Sequence, residues 1–594
     1  LQNTKDWDLY EAGKQYNNRI EPNYYDTVNA NLDFFAGNQW RNLPDSEMPK
    51  PVFNIIKRVI TFFVASLTTG MAKIQYSPLM LADNTPTQEI DAADVANQQT
   101  AMLFDKFKME FKTRDALFDG ATTGDYCAHF YFDTTKRPYN YAPGVQGEIC
   151  MELVDGTNVF FGNANNSMTD PQPYIGLSGR DTIENLRAEA KRYHEAEEDI
   201  EGIQPDKEYF YQAGEAAQIE VEASDIEAGK ALYIIIYRKK TEQVEGIDPL
   251  TRLPITETKT TITASKSVRG AYIYKDIDTG LSRYPIAWGN WEKQKNQYHG
   301  RALATGILPN QIFINRMFAM VMYHLMMTAF PKAVYNADAI AIWDNAVGDA
   351  IPVTGVGFET NLKNIASYLE PSQMSTQIVQ VIEMVMQYTK EMLGASDAAL
   401  GEIDPKNTSA IIAVQKSSAI PLENPKANLY EWVEDIGHIL FDMMGTYYGM
   451  RPIVREKEVE TPKMDQFGQA AIDPMGNVVT EKVTQKVTEM FDFSVFKNMW
   501  LDVKADVGES SYWSQIAANQ TLDNMLAQGH IDIVQYLERV PDEYIPQKDE
   551  LISQVQQRMM QAQAQATKDK SLADAKTQIE MEMMLKNGAQ PRSA

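Results

Sequence analysis

Three carboxylates, Asp397, Glu402 and Asp404, stand close together in the chain. They are its nearest approach to a two-metal hydrolytic set, in which carboxylates hold two divalent ions against a phosphate ester. The residues around them are turn formers, which favours a surface loop over a rigid metal cradle. A second acidic run, Glu195-Glu197-Glu198-Asp199, reads first as a solvated face. The six histidines, at 129, 194, 299, 324, 438 and 530, are scattered, and no two share helical metal-ligand spacing. The two cysteines, Cys127 and Cys150, are too few for a zinc site and leave a single disulfide open. The chain holds no G-x-x-x-x-G-K-[ST], no H-E-x-x-H, no C-x-x-C pair and no G-x-S-x-G elbow. The residues therefore point to no catalytic site and no cofactor.

The composition bounds what remains. At 594 residues the chain exceeds one core, so several subdomains are expected. Its formal net charge of −26 excludes a whole-protein basic footprint for nucleic acid. An acidic wall repels phosphate, which suits a polymer that slides without sticking, although solubility alone also explains it. Two cysteines in so long a chain fit a reducing compartment. Residues 1–20 carry charges and amides in place of an apolar run, so no secretory signal is expected. The best membrane candidate, Met317 to Pro331, has about 15 residues and falls short of the ~18–20 a span needs. No membrane insertion is expected. Methionine is abundant, at 29 residues, and gathers on the helices near 300–390 and in the C-terminal tail. It suits surfaces that re-pack.

The elements that position these residues follow from periodicity. Residues 5–42 read as an amphipathic helix stopped at Gly37-Asn38. Residues 51–74 read as a buried helix opened by Pro51. Residues 85–118 read as another, with Thr85, Pro86 and Gln88 at its start. From about 124 the period changes to strands at 129–133, 148–153 and 159–161. A short charged helix runs from Asp181 to Glu198, and an acidic stretch follows to about Glu227. Strands at 231–238, 256–267 and 269–276 form a meander, and 282–288 leads on. A long apolar helix then runs from Gly300 to Pro331. An insert near 332–371 follows, and a second helix carries Gln377 to Met386. Two helices that leave a body, carry a small tip and return make a stalk. Beyond lie a polar segment near 394–409, a helix from Ala410 to Tyr448 kinked at Pro421 and Pro425, a hairpin within 452–503, and helices over 509–540 and 547–586. The last, with Leu551, Val555 and Met559 on one face, reads as self-associating. The fold class is α+β and predominantly α-helical.

Three stretches carry a resemblance. They are Phe34-Phe35-Ala36-Gly37-Asn38-Gln39-Trp40 with Pro51-Val52-Phe53-Asn54-Ile55-Ile56, then Gly300-Arg301-Ala302-Leu303-Ala304 with Asn310-Gln311, and finally Asp502 to Gly508 with Asn524 to Gly529 and Ile531-Asp532. In content and order they resemble the portal proteins of tailed bacteriophages, the head-to-tail connectors, in the larger podovirus-like branch. The resemblance implies a portal fold. Residues 1–299 would be the wing, 300–331 the first stem helix, 332–371 the clip and 372–393 the second stem helix. Residues 394–409 would be the tunnel loop, 410–450 the long kinked helix, 451–503 a β return of the wing, and 504–594 a helical crown or barrel.

The resemblance implies a ring, usually a dodecamer, at the unique capsid vertex. The ring would be a channel for double-stranded DNA in packaging and ejection. Its partners would be a terminase motor, head-completion or adaptor and tail proteins, and the major capsid and scaffolding proteins. Its place would be the virion, after assembly in the host cytoplasm. On that footing Lys390, Lys406, Asn407 and Ser409 are candidates for the DNA channel. Arg316, in an otherwise uncharged stretch, is a candidate for an inter-subunit stem contact. Trp343 and Asp344 are candidates for partner contact at the clip, or for its core. The chain would be a conduit and not an enzyme. The alternatives are another structural ring or adaptor of the head-tail junction, and a metal-dependent nuclease using Asp397, Glu402 and Asp404.

Overall fold

The computed structural model describes residues 3–41, 48–68, 72–78, 87–137, 146–193, 200–205, 209–210, 218–219, 229–247, 254–329, 332–344, 351–355, 357, 361–368, 376–392, 420–462 and 480–507. Beyond these it describes 522, 525–526, 531–539, 551–552, 554–555 and 558. The chain divides into two compact units, Leu1–Gly508 and Glu509–Ala594.

The first unit opens with two helices where one was expected. Helix α1 (Lys5–Arg19) starts at Thr4, whose hydroxyl accepts from the Trp7 amide, with Asp6 and Asp8 in its first turn. Helix α2 (Tyr24–Ala36) starts afresh at Asn23, which accepts from the Tyr25 and Asp26 amides, and stops at left-handed Gly37. Pro22 lies between them and cannot donate to a continuous helix. Helix α3 (Ile55–Leu67) is capped by Asn54 and not by Pro51. Its expected last residues instead form strand β1 (Ala72–Pro78). The expected helix 85–118 is α4 (Thr87–Phe107) and α5 (Met109–Thr123), broken at Lys108, whose φ is +53°.

The strand region follows. It comprises β2 (Asp125–Asp133), β3 (Glu148–Val154), β4 (Val159–Phe161) and β5 (Tyr174–Thr182). After α6 (Ile183–Ala190) come the short pair β6 (Tyr209–Phe210) and β7 (Gln218–Ile219), then β8 (Lys230–Ile247), β9 (Pro254–Val268), β10 (Ala271–Asp278) and β11 (Ile286–Asn290). A five-stranded antiparallel sheet has the order β10-β9-β8-β5-β4, and a three-stranded one has the order β11-β2-β3.

The stalk is α7 (Leu303–Ala329), a tip with β12 (Ala333–Tyr335) paired antiparallel to β13 (Ala366–Tyr368), and α8 (Thr376–Met392). The helix α9 (Glu423–Tyr447) follows a 3-10 turn over Ile420–Leu422. Pro425 sits in its first turn, where a proline costs no hydrogen bond, so the expected kink there does not form. Strands β14 (Met450–Pro462) and β15 (Thr480–Asp492) make a long antiparallel hairpin. Strand β16 (Leu501–Val507) returns across the chain to pair with β1, Ala72 opposite Val507.

The main core lies where α3, α5 and α9 meet β2, β11 and the β1–β16 pair. Trp432 on α9 is buried, edge-on to Tyr126, and its indole donates to the Ala287 carbonyl. Each such side chain contributes about 1.5–3 kcal/mol through removal from water. Cys127 and Cys150 are both free and buried. Cys127 lies opposite Val154, so Cys150 is displaced along the ladder by four rungs, about 13 Å at strand rise and beyond disulfide reach.

In the second unit α10 (Ile533–Arg539) is described, with the Asp532 carboxylate accepting from the Ile533 amide. Leu551, Ile552, Gln554, Val555 and Arg558 are helical. The rest of the expected 547–586 helix lies outside the described residues. The α+β class holds, with helices and largely antiparallel sheets in separate runs.

Candidate functional site

The stalk is anchored by buried polar groups. Asp125, at the start of β2, is fully buried. Its Oδ1 accepts from Asn290 Nδ2 and from the Gly300 amide, each at 2.7 Å. Its Oδ2 accepts from the Tyr24 hydroxyl at 2.9 Å and lies 2.6 Å from His299 Nδ1. The Tyr24 ring stacks on His299 at 3.7 Å. Burial, then the charges of Asp125 and Asp155, push the Tyr24 phenol well above its ordinary range, so it stays a donor. His299 Nε2 and the Tyr298 hydroxyl both reach Asn17 Oδ1, at 3.0 and 3.1 Å. One carboxylate thus ties α2, β2, β11 and the residue before the stalk together. The backbones cross closely here. A Cβ on Gly124, whose φ is +103°, would meet the Gly300 carbonyl oxygen at 2.5 Å, and one on Gly300 would meet Gly124 O at 2.6 Å. Both positions require glycine.

A second set holds the first turns of α7. Gln311 Nε2 donates to the Phe53 carbonyl at 2.7 Å and to Asn315 Oδ1 at 2.9 Å, while its Oε1 accepts from the Ile55 amide at 3.0 Å. Asn315 donates to Gln39 Oε1. Asn54 donates to the Phe35 carbonyl, and the Trp40 indole donates to the Pro51 carbonyl. The stretches 34–40, 51–56 and 300–311, far apart in sequence, are therefore one bonded assembly. The first part of the third stretch, Asp502 to Val507, lies on β16 beside β1.

Past this root the stalk is uncovered. The buried residues of α7 end at Ala319. Beyond it Met320, Met322, Tyr323, Leu325, Met326 and Met327 are exposed. On α8, Val379, Val381, Met384 and Tyr388 are exposed, while Ile382 and Thr389 are buried. Isolated apolar residues on a surface need no explanation, but a contiguous apolar rod does. Among the described residues α7 is the one helix long and apolar enough to cross a membrane. At 27 residues it is longer than the 15-residue stretch singled out from sequence. Its first half is bonded into the body, however. The uncharged stretch past Arg316 to Ala329 spans about 20 Å at helical rise, short of a ~30 Å hydrocarbon core.

Of the residues singled out from sequence, Arg316 is exposed on α7, and among the described residues no carboxylate lies within ion-pair distance of it. Trp343 is half-buried in the tip. It stacks on Tyr335 at 5.4 Å, stands edge-on to Tyr368 at 5.9 Å, and packs against the small buried core of Ala339, Ile340 and Ile365. Asp344 is exposed beside it. Lys390 falls within α8, but its side chain is outside the described residues, as are Lys406, Asn407 and Ser409 entirely. Asp397, Glu402 and Asp404, and the run Glu195 to Asp199, also lie outside them. Among the described residues no cluster of three histidine, cysteine or carboxylate side chains is arranged to hold a metal.

Sequence reading missed the Asp125–His299 hub. The available signal was a histidine placed immediately before the Gly300-Arg301 that opens the stalk. No protein-family model matches the chain, and no curated protein matches it.

Proposed function

We propose that this chain is a portal-type ring subunit, whose stalks pack side by side around a channel for double-stranded DNA. The observation that carries the reading is the stalk: its first helix, α7, is polar-bonded to the body at its root and apolar on its exposed length past Arg316. Such a surface is stable in water only when covered, and further copies of the same stalk cover it with matching chemistry. Methionines at 320, 322, 326, 327 and 384 suit an interface whose subunits shift. Arg316 then meets a carboxylate of a neighbouring copy. The tip, with its Tyr335–Trp343–Tyr368 aromatic cluster, is the clip that docks the packaging motor and later the adaptor and tail proteins. The acidic balance keeps DNA mobile in the channel. The chain is a conduit, and the motor is a separate protein.

The exposed apolar helix also favours a second reading, insertion into a membrane, against which the short uncharged length weighs. One experiment separates the two. Sedimentation of the full chain without detergent, beside the Leu325→Glu/Met326→Glu variant, is expected to give a large discrete assembly for the first and monomers for the second. A chain that is monomeric and soluble only in detergent would overturn the ring reading.

A further inference from the structure

A cavity of about 630 Å³ opens within the first unit where β2 and β3 face β8, β9, β10, α6 and α9. It is distinct from the stalk and its root, and its volume lies in the usual range for small-molecule sites. Its walls are unusually rich in tyrosine. Tyr233, Tyr237, Tyr274 and Tyr447 line it. Burial first, and then neighbouring phenols and carboxylates, raise the Tyr237 and Tyr274 hydroxyls far above their ordinary range, so both stay neutral.

The charge on the walls is one-sided. Glu152, Asp181, Glu189 and Asp278 line the cavity, and Lys266 is the only lysine or arginine among its lining residues. Lys266 already displays what the wall selects. Its Nζ lies 2.7 Å from Glu189 Oε2 and 4.3 Å from the centre of the Tyr233 ring. An ammonium is thus held between a carboxylate and an aromatic face.

Glu152 offers a second carboxylate of the same kind. It is half-exposed, and its Oε1 lies 2.8 Å from His129 Nδ1, while His129 Nε2 lies 2.8 Å from the Tyr237 hydroxyl. Glu152 accepts from His129 Nδ1, and the Tyr237 hydroxyl bonds Nε2 on the far side of the ring. Burial alone would raise the Glu152 carboxyl, but the hydrogen bond and charge of His129, and then the Lys266 and Lys112 charges, outweigh it and hold it below the usual range. Glu152 is therefore ionised at neutral pH.

We infer that this cavity binds an organic cation of the alkylammonium class, its ammonium seated against Glu152 and the tyrosine faces. An anion would meet four carboxylates and one lysine, which is repulsive. A neutral apolar ligand would cover ionised carboxylates without compensating them, which is costly. A bare metal ion would need a convergent donor set, and none exists among the described residues.

The test is calorimetric titration of the full chain with putrescine, tetramethylammonium and 1,4-butanediol, the diol matching putrescine in length without its charge. Both cations are expected to bind saturably and the diol not to bind. Glu152→Gln is expected to weaken putrescine at least tenfold, and Asp278→Asn, at an exposed edge of the cavity, about two- to fivefold. Glu431→Gln, a carboxylate outside the cavity, is expected to leave binding unchanged. Asp278→Asn keeps the test open if Glu152→Gln fails to fold. No saturable binding of either cation at millimolar concentration overturns the inference. Equal binding of the diol also overturns it, as does the same affinity in Glu431→Gln and the cavity variants. The outcome does not depend on whether the chain assembles into a ring.

Discussion

Replacing Asp125 with alanine is the sharpest perturbation of the stalk root. The carboxylate is fully buried and faces four donors, from Tyr24, Asn290, His299 and the Gly300 amide, and the three side chains are buried too. Each stranded buried donor costs about 1–3 kcal/mol. The four share one partner and relax together, so the costs do not add. Removing one member of a buried charge-assisted set costs about 3–5 kcal/mol, and that is the expected loss for Asp125→Ala. Asp125→Asn is expected to cost less, about 1–3 kcal/mol. Its amide oxygen still accepts from Asn290 and Gly300. Its NH2 faces a Tyr24 hydroxyl able to accept and a His299 ring able to change tautomer, with Nε2 then donating to Asn17. Urea unfolding followed by tryptophan fluorescence reads both variants, because the Trp288 ring centre lies 6.2 Å from that of His299. Hydrogen exchange at Gly300 locates the effect, since its amide donates to Asp125. An alanine variant within 1 kcal/mol of the parent, or an asparagine variant less stable than the alanine one, would refute the reasoning.

Two glycines near the stalk root should respond in opposite directions. Gly300→Ala is expected to destabilise by about 2 kcal/mol or more, because its Cβ meets the Gly124 carbonyl oxygen at 2.6 Å. Gly306→Ala, within α7 and with nothing within 4 Å, is expected to stabilise by about 0.5–1 kcal/mol, and thermal melts of the pair decide. Burial and then the Glu431 charge push the Asp435 carboxyl up to about 6. The folded chain then binds more protons than the unfolded one above the unfolded value of about 4, so this group's contribution falls as pH rises towards 6. Asp435→Asn is therefore expected to gain at most about 3 kcal/mol over the parent above pH 6 and nothing below about pH 4, read as the difference between their pH–stability curves. Cys127 and Cys150 are free, so melts with and without reductant are expected to coincide, and a reductant-sensitive melt would contradict the register of β2 and β3.

Much of the fold was legible where one period ran without interruption. The switch from helix to strand near 124, the apolar run 231–238 and the helix–insert–helix order of the stalk all follow from local patterning. Breaks made by unsuited residues were not legible. Lys108 takes a left-handed conformation with no glycine to announce it. Strand β5 was missed because Gly176 and Gly179 dilute its pattern. They are tolerated because the Ile236 and Tyr233 side chains of β8 occupy the space a Cβ would need. The β1–β16 pairing joins residues 72–78 to residues 501–507, and no local signal encodes so distant a partner. The same reason hid the stalk root. Asp125 and His299 each look ordinary alone, and their meaning comes from meeting across 174 positions. Trp343 lies half-buried in the tip, stacked on Tyr335 and edge-on to Tyr368, a contact between segments that local patterning does not encode.

In the ring we propose, the apolar stalk is covered by copies of itself around a channel. Electron microscopy of the purified full chain, with two-dimensional class averages, tests it most directly. Closed rings with a central hole and a narrow stem on one side are expected, and their loss in Leu325→Glu/Met326→Glu. Compact monomers at every concentration, with the stalk substitution changing nothing, would contradict it.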